Sequence, residues 1–434
     1  MGPLTFIATS ARFVLRGGKA YWLWIAILVA LITWGGLAYL DQLRAGLIVT
    51  NMRDQVSWAF YIGNFTFLVG VAAAAVVLVI PAYVYHWKPI KEVAILGEIL
   101  AISAIVMCLL FVTVDMGHPE RFWHLIPGIG RMNFPRSMLA WDVLVLNLYL
   151  VLNILIVTHL LYRGMQGRPY NARLVVPLIM FSIPAAVGIH TVTAFIYAGL
   201  PGRPYWNAAI LAPRFLCSAF CSGPAIMLIL FQILQRTTKI AIKDDAIWKV
   251  AELMAYAMFL NLFLLGAEVF KEYYSATEHL VHLQYLFNGV RGHRALVPYA
   301  WTFVACGVVA FLLFLFPATR RNVVTLNLGC LFIYASVYIE KGMGLVMPAF
   351  TPDTLGEIYE YTPTLHELRI GAAIFSTGFL VFTLLCKIAI PIMTGEFAAA
   401  RTTASASKLK HWSDAPRVPT PGAPAAARGG VARH

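Results

Sequence analysis

The chemistry-bearing residues of this chain crowd into one short stretch. The run DMGHPERFWH at 115–124 holds Asp115, His118, Glu120, Arg121, Trp123 and His124. It begins where a long apolar run ends, and the next apolar run opens with Trp141 and Asp142. Titratable groups at the mouth of a membrane bundle are costly to keep there, so they point to function. A carboxylate, a histidine and an aromatic wall near a membrane interface are the parts a quinone head requires, namely donors and acceptors for two carbonyls and a route for two protons. A structural salt-bridge network uses the same residue types, and both readings stand on residue types alone. Arg121 or Arg214 could pair with either aspartate. Asp142 also fits a helix-dipole carboxylate beside an interfacial Trp anchor. His118 and His124 fit an exposed loop or a partner contact better than a metal site.

The elements that must position these groups are membrane helices. The 434 residues are 60% hydrophobic and 12% charged, against about 25% charged in ordinary globular domains. Ten apolar runs are long enough to cross a hydrocarbon core: 21–39, 58–85, 93–114, 138–162, 174–200, 208–234, 246–270, 297–316, 323–343 and 368–393. The fold class is therefore all-α, a polytopic integral membrane protein with about ten transmembrane helices. Spans 2–5 and 6–9 could form two four-helix bundles with the first and last helices flanking. Residues 1–20 form an N-terminal segment, 21–393 the membrane domain, and 394–434 a tail rich in Ala, Pro, Arg and Ser that is expected to be disordered.

The net charge of +13 would suggest nucleic acid in a soluble protein. Here Lys and Arg favour the side of the termini by about two to one, which by the positive-inside rule makes both termini cytoplasmic, and no nucleic acid is implied. The loops at 115–124 and 271–296 then face outward. The tryptophans at 58, 123, 141, 206 and 301 lie near outer ends, where an aromatic belt would sit. All six cysteines fall inside apolar runs without a CxxC pair, so neither a zinc site nor an iron–sulfur cluster is indicated.

Further polar residues lie within the spans: Asn64, Asn147, Asn153, His190, Arg214, Glu268, Glu340 and Lys341 toward the outer half, and Glu92, Glu98 and Glu252 toward the inner half, where a proton path could begin. His86, His159 and His190 invite a haem reading, but no same-helix pair has the spacing of a membrane cytochrome. An ion or proton transporter and a haem-b cytochrome remain the competing function classes.

The run EVAILGE at 92–98, the run at 115–124, NFPRSMLAWD at 133–142 and NLFLLGAEVFKEYY at 261–274 together resemble the NrfD/polysulfide-reductase membrane-subunit family. Within it, the ten-span layout and the loop HLIPGIG at 124–130 are most similar to the membrane subunits of Dsr-type electron-transfer complexes of sulfur-metabolising prokaryotes, the DsrP-like branch, with subunits of Hmc-type complexes next. The resemblance implies a quinone-interacting subunit, with menaquinone as the expected substrate and no haem or metal of its own. It also implies residence in a bacterial inner membrane. Electrons would pass to or from a periplasmic ferredoxin-like iron–sulfur subunit, alongside other membrane and cytochrome subunits. Carried over residue by residue, it points to Asp115, His118, Arg121, Trp141 and Asp142 around the quinone, and Glu268 matches the family's acidic position on span 7. Asp115, His118, Asp142 and Glu268 are the expected proton-handling groups, with Arg121, Trp141 and Arg214 as further quinone contacts.

Overall fold

A computed structural model describes residues 2–85, 87–126 and 128–395. His86 and the tail from 396 onward lie outside the described residues, so the expectations placed on them have no structural counterpart here. The ten expected spans are present. With their flanking helices they are α1 (Pro3–Leu15), α2 (Lys19–Ala45), α3 (Phe60–Tyr83), α4 (Ala94–Asp115), α5 (Met138–Met165), α6 (Ala172–Ala198), α7 (Leu211–Thr237), α8 (Asp244–Ser275), α9 (Leu280–Phe287), α10 (Val297–Leu315), α11 (Val323–Lys341), α12 (Met343–Phe350) and α13 (Leu365–Met393). All backbone groups of such helices are satisfied within the segment, which is what a hydrocarbon environment demands. Two faces result. One carries α1 and the short inner loops; the other, the loop face, carries 46–59, 116–137, 199–210, 276–296 and 351–364.

The spans close into two rings of four. In the first, α3 packs on α4, α4 on α5, α5 on α6, and α6 returns to α3. In the second, α7, α8, α10 and α11 close in the same order. The rings meet where α7 packs on both α3 and α6 and where α11 touches α3. The flanking helices α2 and α13 pair with each other, and α13 lies against α4. A helix that is apolar all round belongs in an interior. Accordingly α3 and α4, the most hydropathic spans, bury 82% and 78% of their apolar windows, whereas α2 buries 17% and presents the rest outward.

Three features were not legible beforehand. Residues 3–15, expected as a plain N-terminal segment, form α1, whose Phe6 ring meets Tyr162 edge-on at 5.4 Å. The turn of α3 over Ile80–Val84 widens to π geometry around Pro81, because the proline ring has no N–H to give to the ladder. The ninth span breaks at Gly342 and continues as α12, buried from Gly344 onward, to Phe350. A Cβ on Gly63 of α3 would lie 3.3 Å from the Gly342 carbonyl carbon, so the break is where two backbones cross closely.

The α2–α13 pair depends on a similar approach. A Cβ at Gly35 would sit 2.1 Å from the Arg369 carbonyl oxygen and 2.5 Å from Ala373 Cβ, whereas one at Gly36 meets open space. Gly35→Leu should therefore cost about 1–3 kcal/mol by forced overpacking, and Gly36→Leu should stay within about 0.5 kcal/mol of the parent. Thermal unfolding of the detergent-solubilised protein measures both. Equal stability of the two variants would contradict the packing described.

Candidate functional site

The first polar centre lies at the loop-face end of the first ring. Ser137 caps α5, its hydroxyl accepting from the Ala140 N–H at 3.3 Å. This cap sets Asp142 in the second helical turn, pointing inward, with 4% of its surface exposed. Asp142 Oδ1 accepts from the Thr193 hydroxyl of α6 at 2.7 Å. One turn along α6 from Thr193, the Tyr197 hydroxyl pairs with that of Thr66 on α3. Tyr197 stands 4.9 Å from the buried Trp206 ring and 6.0 Å from Trp58, and Phe350 completes the aromatic wall at 5.3 Å from Trp206. The Trp206 indole N–H donates to the Leu345 carbonyl at 2.9 Å. Trp206 is thus a core residue joining the two rings rather than part of a lipid-facing belt, while Trp123, Trp141 and Trp301 are exposed.

Asp115 ends α4 at the same level. Its Oδ1 is buried without a hydrogen-bond partner. Beside it, the Gln42 amide of α2 donates to the Val114 carbonyl at 2.6 Å, and the Tyr61 hydroxyl donates to the Gln42 side-chain oxygen at 2.8 Å. Glu367, fully buried at the start of α13, accepts from the Thr364 N–H at 2.8 Å, the Asn51 N–H at 3.1 Å and the Tyr361 hydroxyl. This capping box fixes the 46–59 strap to α13. The helices that carry the two aspartates, α4 and α5, pack against each other. Asp115 at the end of α4 and Asp142 in the second turn of α5 thus lie on packed neighbouring helices at the loop-face end of the ring.

The remaining expected residues separate from this centre. His118, Arg121 and Trp141 are exposed. His118 Nδ1 lies 2.9 Å from the Glu120 carboxylate, whose proton affinity is held below the usual range by a backbone hydrogen bond and then by His118. The Trp141 indole donates outward to the Pro135 carbonyl at 2.9 Å, since a helix turns about 100° between neighbours and Asp142 takes the inward direction. With Phe122, Ile126, Ile129 and Phe134 also exposed, the 116–137 loop forms an apolar patch on the loop face.

Arg214 pairs with neither aspartate, contrary to expectation. It belongs to a second centre in the other ring, where its guanidinium pairs with Glu268 of α8 and lies 2.6 Å from Glu340 of α11. Glu340 also takes Lys341 at 2.9 Å and the Asn261 amide at 3.0 Å. The geometry of α7 explains the separation: Arg214 lies one turn inside that helix, facing the ring that α7 opens. Glu340 and Lys341 signalled themselves as adjacent charges in the last turn of an apolar run. Thr193, Tyr197, Gln42 and Glu367 carried no such signal, because their importance lies in what faces them.

On the inner half the three glutamates also part. Glu92 lies 3.2 Å from Lys243, and Glu252 lies near Lys249 and Arg320. Glu98 is buried in α4 with neither oxygen partnered. His159 accepts from the Asn171 N–H near the inner end of α5, while His190 bonds the Ala186 carbonyl well along α6. The antiparallel packing leaves roughly 18 Å of helix between their levels, too far for a shared axial pair.

Residues 48–351 match the family described as polysulphide reductase, NrfD. The chain belongs to this family. The match runs from the strap before α3 to the end of α12, and so covers both rings and omits α2 and α13. The chain is similar to a putative dimethyl sulfoxide reductase membrane subunit of Halobacterium salinarum, at 26% identity over 396 residues, 82% of this chain and 88% of that protein. It is also similar to a selenate reductase subunit of Mesobacillus selenatarsenatis, at 22% identity over 417 residues, 86% of this chain and 95% of that protein. An NrfD-family protein with ten helices long and apolar enough to cross a membrane is what these findings together describe.

The loop face closes over the second centre through α9. His282 of α9 is buried and directs Nδ1 to the Thr351 carbonyl at 3.4 Å. Burial holds its imidazole below the ordinary value of 6.5, so the fold prefers it neutral. That preference stabilises the cap above pH 6.5 and is lost as pH falls through the depressed folded value. Hydrogen-exchange protection factors across residues 276–296, taken relative to the intrinsic rate at each pH, should fall on acidification below about pH 6, and His282→Gln should flatten that dependence. An unchanged acid response in the variant would remove His282 as its cause.

Proposed function

We propose that this protein is the quinone-reactive membrane subunit of an electron-transfer complex, exchanging electrons and protons with a menaquinone-type quinone at the Asp115–Asp142 end of the first ring. The observation that carries the reading is two carboxyl groups at the loop-face end of packed helices, Asp142 buried with the Thr193 hydroxyl as its partner and the half-buried Asp115 with its Oδ1 buried and, among the described residues, unpartnered. A carboxyl group so placed can give a proton to a quinone oxygen or take one from a quinol hydroxyl, and general acid–base catalysis needs that poise. Tyr197, Trp58 and Tyr61 supply the aromatic and hydroxyl surroundings that a quinone ring requires.

Electrons leave or arrive through a ferredoxin-like iron–sulfur partner seated on the exposed 116–137 loop. His118, Glu120, Arg121 and His124 line that surface beside an apolar patch, the mixture that partner surfaces present. In this reading the loop face is periplasmic and both termini lie in the cytoplasm of a bacterial cell, as the Lys and Arg bias supports. The chain carries neither haem nor metal, and other membrane and cytochrome subunits complete the assembly. The names of the relatives, a dimethyl sulfoxide and a selenate reductase subunit, support a reductase-linked role. The loop sequence at 124–130 favours a DsrP-like place in sulfur metabolism.

A second reading, proton translocation across the membrane, is favoured by Glu98, whose buried and unpartnered carboxyl lies on the inner half of the same helix that ends in Asp115.

Asp142→Asn should lower quinol-dependent electron delivery in the intact complex by at least about 100-fold, and Thr193→Val should produce a smaller loss, since it removes only the hydroxyl that orients Asp142. Both variants should assemble normally. Full turnover in an assembled Asp142→Asn complex would sink the assignment of the site.

A further inference from the structure

The first ring has an opposite end, away from the loop face, and a pocket opens there. Each of the ring's helix ends gives it one residue: Tyr83 closes α3, Ile95 opens α4, Leu160 lies in the last two turns of α5, and Tyr170 stands just before α6. Lys91, at the end of the short helix Lys88–Lys91 that joins α3 to α4, completes the lining. Ile95 and Leu160 are buried and make an apolar floor. Tyr83, Lys91 and Tyr170 are half-buried.

The Lys91 ammonium stands between two rings, 5.6 Å from the centre of Tyr83 and 5.7 Å from that of Tyr170. Both distances are near the limit of about 6 Å at which a ring attracts a cation. The rings position the charge without neutralising it. An ammonium group is a donor only, and among the described residues no carboxylate or carbonyl meets this one. Glu92, its neighbour in sequence, lies 3.2 Å from Lys243 instead. Glu98, one turn beyond Ile95, has neither oxygen partnered and so does not hold Lys91. The segments that line the pocket add more positive charge. Residues 83–91 and 160–173 contain Lys88, Lys91, Arg163, Arg168 and Arg173 and no Asp or Glu, and Lys88, Arg168 and Arg173 are exposed. A lysine kept only for the sidedness of the loops needs no pocket, and one kept only for packing needs no cationic surround.

We propose that this pocket holds the phosphate of an anionic phospholipid, with Lys91 as its charged donor. The pocket lies where the spans end, which is the level of the headgroups, and basic pockets between helices at that level suit such lipids. The Tyr83 and Tyr170 hydroxyls have no hydrogen-bond partner among the described residues and serve as further donors. The space is about 270 Å³ with its open side included. That admits a phosphate and the glycerol carbons beside it, and the apolar floor under Lys91 receives those carbons. Free phosphate shares the charge but has nothing to lay on that floor. The site is separate from the proposed quinone pocket and depends on no part of that reading.

Native mass spectrometry of the detergent-purified full-length chain, with phosphatidylglycerol or phosphatidylcholine added, tests it. Phosphatidylglycerol should be retained in preference to phosphatidylcholine, and millimolar inorganic phosphate should not displace it. Lys91→Gln should weaken that retention by about fivefold, as loss of one cation near a lipid surface implies, and Lys91→Arg should preserve it. Arg321→Gln is the control, since Arg321 also lies over a ring, that of Trp248 at 5.2 Å, but belongs to the second ring of helices. It should leave retention unchanged. Should Lys91→Gln fail to fold, Tyr170→Ala, in a loop, reads the same site and should weaken retention too. Equal retention of the two lipids, full retention in the folded Lys91 or Tyr170 variant, or an equal loss in Arg321→Gln would each overturn the proposal. Displacement by inorganic phosphate would overturn it in favour of a free-anion site.

Discussion

A charged side chain inside a hydrocarbon layer has no water to fall back on, so whatever buries it must also satisfy it. That constraint organises this molecule. Charge at mid-bilayer costs about 2.5–3.5 kcal/mol even on lenient scales, and each centre offsets it differently. The second ring does so by neutralising two cations with two carboxylates. In the first ring the Thr193 hydroxyl serves Asp142, while Asp115 keeps an unpartnered oxygen beside the Tyr61–Gln42 pair. The contrast matters for function: ion pairs hold charge in place, whereas a carboxyl beside a hydroxyl keeps freedom to change its proton count.

The architecture separates those roles in space. The family match at 48–351 coincides with the two rings, and α2 and α13 lie outside it. Yet the neighbourhood of Asp115 is completed by Gln42 of α2 and Glu367 of α13. The flanking pair therefore contributes to the first centre, and the 46–59 strap, tied to α13 through Asn51 and Glu367, holds it closed from the loop face. Trp206, inserted between the rings, links this wall to the backbone of α12 and through it to the second centre.

Much of the fold was legible because hydrophobic length is a direct reading of bilayer thickness. All ten spans and the ring grouping appear as expected, and the helices carrying Asp115 and Asp142 pack together because consecutive antiparallel helices bring facing ends together. The details that failed have physical causes. Arg214 was free in sequence to pair with any carboxylate in the outer half. Helix rotation turned it toward Glu268 and Glu340. Trp206 looked like its neighbours in the expected belt, but its place between two rings buries it. His118, Arg121 and Trp141 sit beside the aspartates in sequence and away from them in space, because a loop and a helix turn change direction within one or two residues.

By itself, then, the sequence determined that this is a ten-span helical membrane protein, since composition and run length alone decide what can cross a bilayer. It also contained the family's motifs. Only the tertiary structure decided that there are two polar centres rather than one, that Thr193, Tyr197, Gln42 and Glu367 belong to the first, and that Glu340 anchors the second. The reason is that partners of a buried charge come from other helices, and which face each helix turns toward them is settled only when all the helices pack together.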